Sequence, residues 1–161
     1  MSAFQGILLP LIWILASTQP LPISTNPSPE VKKSKREIFW DNLNESYENI
    51  PSVQALNFAL DGYENLEEEL EKKVLTLIDF SLPSTEKRLW VIDLTEEKIL
   101  LNTVVAHGRN SGMLKAEKFS NRPESNQSSL GFYKTGETYF GKHGYSLRLV
   151  GLEKGFNDQA R

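Results

Sequence analysis

Val74-Leu75-Thr76-Leu77-Ile78-Asp79-Phe80 is a short apolar run rich in β-branched residues, the pattern of a buried strand. Leu82-Pro83-Ser84-Thr85-Glu86-Lys87 supplies a turn, and Arg88-Leu89-Trp90-Val91-Ile92-Asp93-Leu94 reads as the second strand. Thr95-Glu96-Glu97-Lys98 is short, so the third strand, Ile99 to Ala106, is predicted to pair antiparallel with the second as a hairpin. At His107-Gly108 the chain leaves the sheet.

Upstream of residue 74 the period is helical. Ile38, Phe39, Leu43 and Tyr47 recur at roughly helical spacing, and Pro51 ends that segment. Ser52 is a fitting N-cap for a second helix whose Val53, Leu56, Leu60 and Tyr63 form one apolar stripe. Gly62 should weaken that helix by roughly 1 kcal/mol relative to Ala, which suggests its end. Glu64 to Lys73 is charge-rich and reads as a solvated face.

The N-terminus reads as outside the fold. Ile7-Leu8-Leu9-Pro10-Leu11-Ile12-Trp13-Ile14-Leu15-Ala16 is a ten-residue apolar run, half of the ~20 residues that span a bilayer. It fits the apolar core of a secretory signal, with small residues at Ala16, Ser17 and Thr18, although residues 1–6 carry no Lys or Arg. Pro20, Pro22, Pro27 and Pro29 then alternate with small polar residues, and Lys32-Lys33-Ser34-Lys35-Arg36 closes what reads as a tether. The expected organisation is a signal peptide or anchor at 1–18 and a Pro/Ser-rich linker at 19–36. A helical segment follows at 37–73 and a β domain at 74–161. The expected location is outside the cytoplasm, in the periplasm or cell envelope.

Downstream of the third strand, residues 109–129 are polar with few apolar anchors, a length of loop that in a compact domain is usually functional or mobile. Aromatic pieces punctuated by glycine follow: Leu130-Gly131-Phe132-Tyr133, Thr138-Tyr139-Phe140-Gly141 and Tyr145-Ser146-Leu147-Arg148-Leu149. The fold class is therefore mainly β with N-terminal helices, α+β.

Composition narrows the chemistry. A net charge of −3 removes the electrostatic reason to expect nucleic acid as a partner. The 161 residues contain no cysteine, hence no disulfide, no thiolate metal site and no thiol nucleophile. The two histidines, His107 and His143, have no carboxylate–histidine spacing around them and make no metal site; no cofactor is expected. Ser128-Ser129-Leu130-Gly131 lacks the Gly-x-Ser-x-Gly frame of a nucleophile elbow. Gly141 and Gly144 lack the strand–GxGxxG–helix frame of a phosphate loop. No complete catalytic constellation is present, so no catalytic residue is assigned.

From Val74 to Arg161 the chain resembles the murein L,D-transpeptidase catalytic domain family, the YkuD-like group. Thr76 to Leu94 resembles its opening strands, and Asn102-Thr103-Val104-Val105-Ala106-His107-Gly108-Arg109-Asn110-Ser111-Gly112 its next strand and loop. Ser128-Ser129-Leu130-Gly131-Phe132-Tyr133 is similar to its substrate-side glycine turn. Gly141 to Glu153 and Asn157-Asp158-Gln159-Ala160-Arg161 are similar to the segment before the catalytic strand. The resemblance implies a partial β-sandwich cut before its catalytic strands, since the family's His-Gly pair and Ser-x-Gly-Cys motif lie beyond these segments. It implies peptidoglycan stem peptides as partners, attacked in the family by a cysteine thiolate that a histidine activates. It also implies substrate-side roles for His107, Ser111, Gly131 and Tyr133. His107-Gly108 is not the catalytic pair, because its neighbours match the earlier strand. The chain is thus expected to be part of an exported L,D-transpeptidase or L,D-carboxypeptidase, inactive and marginally stable by itself. The alternatives are a non-catalytic cell-wall-binding relative and a secreted β-rich interaction domain.

Overall fold

A computed structural model describes residues 32–66, 70, 72–142 and 144–159. The apolar run at 7–16, the linker as far as residue 31, and His143 lie outside the described residues. The chain divides into Met1–Lys32 and Lys33–Arg161, and every element below belongs to the second unit.

Two helices come first. In α1, Lys35–Ser46, Ser34 is the N-cap: its hydroxyl accepts from the Glu37 amide at 3.2 Å, and its own amide donates to the Glu37 carboxylate at 2.6 Å. Reciprocal bonding of this kind satisfies two of the amides a helix start leaves open. It also holds the Glu37 carboxyl below its ordinary range, the Ser34 amide contributing most. The basic cluster is thus not only the end of a linker. Lys35 and Arg36 form the first turn, Lys33 reaches Asp41 at 2.6 Å, and Arg36 spans to Asp61 at 2.5 Å and Glu64 at 2.7 Å on the next helix.

That helix is α2, Val53–Glu64, capped by Ser52, whose hydroxyl accepts from the Ala55 amide at 3.2 Å. Gly62 does not end it. The glycine is buried inside α2, and a Cβ there would sit about 2 Å from the ring of Phe132. The missing side chain makes room for an aromatic from elsewhere in the chain, which outweighs its propensity cost.

Three strands form one antiparallel sheet in the order β1 (Val74–Ile78), β2 (Leu89–Asp93), β3 (Lys98–Thr103). Val74 pairs with Asp93 and Ile78 with Leu89, while Leu89 pairs with Thr103 and Asp93 with Lys98. A bulge at Val91/Ile92 leaves Leu100 without a partner in the ladder. Asp93 closes the tight β2–β3 turn by accepting from the amides of Thr95 and Glu96 at 2.9 and 3.0 Å. Those bonds, the Glu96 one foremost, keep its carboxyl below the usual range.

The core lies between this sheet and the helices. Leu77, Trp90 and Ile92 pack with Phe39 and Leu43 of α1 and Leu56, Ala59 and Leu60 of α2. Every second residue of β2 faces inward, as the pleat requires. The Trp90 indole donates to the Asn49 carbonyl at 3.1 Å, tying β2 to the segment between the helices.

A second, two-stranded sheet is built from β4 (Tyr133–Gly141) and β5 (Gly144–Gly151), paired from Tyr133↔Gly151 to Gly141↔Gly144 with a bulge between Thr135 and Thr138. From Tyr133 onward the short aromatic pieces are one long hairpin. Among the described residues the architecture is α+β and mainly β, two helices and five strands in two antiparallel sheets. No described helix is long and apolar enough to cross a membrane.

Candidate functional site

Arg88 sits at the edge of β2 and is fully buried. Its Nε and Nη2 both donate to the Val105 carbonyl, at 3.2 and 2.9 Å, and Nη1 donates to the Leu82 carbonyl at 2.8 Å. Nη2 also lies 2.8 Å from His107 Nδ1, and the guanidinium carbon stands 5.0 Å over the Phe80 ring. Burial draws the Arg88 pKa down, opposed by the charge of Asp79.

A guanidinium has donors only, so His107 Nδ1 must be the acceptor in this pair. The ring proton then resides on Nε2, which faces the Gly112 carbonyl at 3.2 Å. His107 is in this way a neutral bridge between a buried cation and the loop beyond it. Both of its nitrogens are occupied.

Ser111 is likewise fully buried. Its amide donates to the Gly108 carbonyl at 2.7 Å and its hydroxyl accepts from the Ser128 amide at 2.8 Å. Its carbonyl receives the amides of Glu117 and Lys118 at 2.8 and 3.0 Å. The Ser128 hydroxyl returns the link by accepting from the Gly108 amide at 2.9 Å. The long polar loop is consequently closed on itself by backbone and serine contacts, without a strand of its own beyond the Phe119↔Ser128 bridge.

Gly131 lies at φ +109°, and a Cβ there would come within about 2 Å of the Glu153 carboxylate. That carboxylate accepts from the Phe132 amide at 2.8 Å. Buried Asn157 completes the clamp, donating to the carbonyls of Leu130 and Phe132 at 3.3 and 3.0 Å and accepting from the Glu153 amide at 2.9 Å. Phe132 stacks on Phe58 of α2 with ring centroids 5.4 Å apart. The Tyr133 hydroxyl donates back to the Ser129 carbonyl at 3.3 Å.

The structure brings His107 and Ser111 into one bonded loop, and joins Ser111 to the 128–133 segment through Ser128. Tyr133 contacts that segment at Ser129, whereas Gly131 faces Glu153 and Asn157. Sequence reasoning missed Arg88, Glu153 and Asn157 as organisers. An arginine directly before Leu89-Trp90-Val91-Ile92 was the available signal for the first, since a cation that close to a buried strand needs partners. The described residues hold no group of three or more His, Asp or Glu placed to bind a metal ion. One cavity lies apart from these residues, between the helices, and another opens on the loop beside Gly112 and Glu117. The first, of about 490 Å³, is lined by Trp40, Arg36 and Asp61, and the second, of about 530 Å³, by Pro83, Met113 and Leu114.

Residues 48–161 match the L,D-transpeptidase catalytic domain family. The chain belongs to this family. The matched region covers α2, both sheets and the entire Arg88–His107–Ser111 network of the L,D-transpeptidase domain. The family acts on peptidoglycan. No curated protein and no solved structure matches the chain.

Proposed function

We propose that this chain is part of an exported L,D-transpeptidase and supplies the frame that receives peptidoglycan stem peptides, not the group that attacks them. The observation that carries the reading is the family match over residues 48–161. The chemistry of the residues supports it. Without cysteine the chain has no thiolate to form a thioester. His107, with Nδ1 bonded to Arg88 and Nε2 to Gly112, has no nitrogen free to take a proton from a nucleophile.

Recognition of stems is a matter of charge and rigidity. Arg109, Lys115, Lys118 and Arg122 are exposed along the loop and outnumber its exposed carboxylates, Glu117 and Glu124. Stem peptides carry free carboxylates, which the cations carried on this bonded loop complement. Substrate-side roles for His107, Ser111, Gly131 and Tyr133 follow as positioning roles: they shape the loop and turn that would meet the stem.

The test is retention on purified sacculi. The chain is expected to co-sediment with them, and an Arg109→Ser, Lys118→Ser double variant to lose retention several-fold at low salt. Equal retention of the two proteins, or none by either, would overturn the reading.

A further inference from the structure

Arg88 and His107 meet at 2.8 Å, and only one of them can change its charge. A guanidinium keeps its proton inside a protein, whereas imidazole is the side chain that ordinarily changes charge between about pH 8 and pH 5. The bond exists because Nδ1 of the neutral ring offers a lone pair to Arg88 Nη2. A proton on Nδ1 turns that acceptor into a donor and sets a second cation against a fully buried one. Compensation is thin. Among the described residues no carboxylate bonds Arg88, and Asp79, just beyond β1, acts on it by charge alone. The Asp79 carboxylate is itself taken by the amide and hydroxyl of Ser81, at 2.9 and 2.6 Å. The other charged groups on the elements around the ring are Glu86 of the β1–β2 turn and the loop's own Arg109, Lys115, Glu117 and Lys118, all exposed.

What the ring holds is the loop. His107 Nε2 donates to the Gly112 carbonyl at 3.2 Å. A charged ring driven off Arg88 turns toward water, which a half-buried side chain can reach, and carries Nε2 away from Gly112. The loop's internal closure does not pass through the ring. It consists of the bonds among Gly108, Ser111 and Ser128, made by backbone and hydroxyl groups that do not titrate. Two further seats on the β1–β2 turn are also free of titrating groups: the Ser84 amide on the Leu114 carbonyl at 2.7 Å, and Phe119 against Phe80 with ring centroids 5.8 Å apart. Acid therefore cuts one tether and leaves the rest.

We propose that His107 is a proton-operated latch on the polar loop. Neutral, it ties Gly112 to Arg88 and so to the sheet; protonated, it leaves Arg88 and loosens the loop at residues 108–112. The latch goes beyond the peptidoglycan reading and does not rest on it.

Hydrogen exchange on the full 161-residue chain, compared between about pH 7.5 and about pH 5, brackets the change of a histidine and tests the latch. Rates are expressed as protection factors, so the intrinsic pH dependence of exchange cancels. Glu37, Asp93 and Asp158, held below the usual carboxyl range, stay ionised throughout. Protection at the Gly108 and Ser111 amides should fall roughly tenfold on acidification, the scale of one lost hydrogen bond to a charged group, while the β1–β2 amides keep theirs. His107→Asn supplies an amide oxygen as acceptor for Arg88 but takes up no proton, so its protection should be the same at both pH values. His107→Gln is a second non-titrating variant, and far-ultraviolet circular dichroism confirms that each is folded. His143→Gln should respond as the wild type does. Wild-type protection that does not change, or a fall shared equally by the β1–β2 amides, would overturn the proposal. So would a fall that persists in folded His107→Asn or His107→Gln, or one that vanishes in His143→Gln.

Discussion

Replacing Arg88 by methionine removes a cation of similar length while leaving its partners in place. Three acceptors lose their donors: the carbonyls of Leu82 and Val105 and Nδ1 of His107, all in half-buried residues. A buried ion pair exchanged whole for apolar residues can be neutral, but here only one side is exchanged. Each stranded acceptor costs about 1–3 kcal/mol if it stays dry. Partial exposure lets water repay some of this, and methionine fills the space against Phe80. The net expectation is a loss of about 3 kcal/mol, a large share of the 5–15 kcal/mol typical of a domain. Urea unfolding followed by tryptophan fluorescence, with Trp90 buried beside the site, gives the stability. Hydrogen exchange at the amides of Gly108, Ser111 and Ser128 reports the loop, and all three should exchange faster than the β1–β2 amides. Arg88→Lys should recover only part of the loss, since one ammonium cannot serve Leu82, Val105 and His107 in the guanidinium's planar geometry. A methionine variant within 0.5 kcal/mol of wild type, with unchanged protection at Ser111 and Ser128, would refute the claim that Arg88 organises the loop, given the ~1 kcal/mol scale of a single hydrogen bond.

Gly131→Ala should destabilise by about 2 kcal/mol or more, because it combines a positive φ with a clash against the Glu153 carboxylate; a melting temperature equal to wild type would contradict it. Ser111→Ala should cost about 1–2 kcal/mol by stranding the Ser128 amide, and the faster exchange should be centred on residue 128. Glu37, Asp93 and Asp158 all have carboxyl pKa values below their ordinary 3.8–4.5, held there chiefly by the Ser34 amide, the Glu96 amide and the Asn121 side chain respectively. The unfolded chain therefore takes up protons first. The stability these groups contribute is complete above about pH 5 and is lost as pH falls through their folded values. An acid titration of the melting temperature should decline below about pH 4, and less steeply in Asp93→Asn.

Much of the frame was legible because local chemistry and tertiary structure agree in it. Ser52 caps α2 as its position before the apolar stripe implies, and β1, β2 and β3 fall on the apolar runs with Asp93 closing the expected turn. Where they part, long-range contact is the cause. Gly62 reads as a helix end by propensity, yet it is a seat for Phe132, which arrives from seventy residues further on. Residues 130–149 read as three pieces because glycines interrupt the pattern, whereas pairing across Gly141 and Gly144 makes one hairpin from Tyr133 onward. The candidate site was half visible. His107 and Ser111 stand in the bonded network, but their bonding depends on Arg88 and Ser128, nineteen and seventeen positions away. No local pattern reports that pairing. The Asn157 side chain reaches back to Leu130 and Phe132 in the same manner, a bond with no signature in the residues beside it.

The central claim is that this L,D-transpeptidase-family chain offers a frame for peptidoglycan stems without a nucleophile of its own. The most direct measurement incubates the purified chain with tetrapeptide stems and quantifies free D-alanine. The account predicts none above a protein-free control. Release that rises in proportion to the amount of this chain would contradict it.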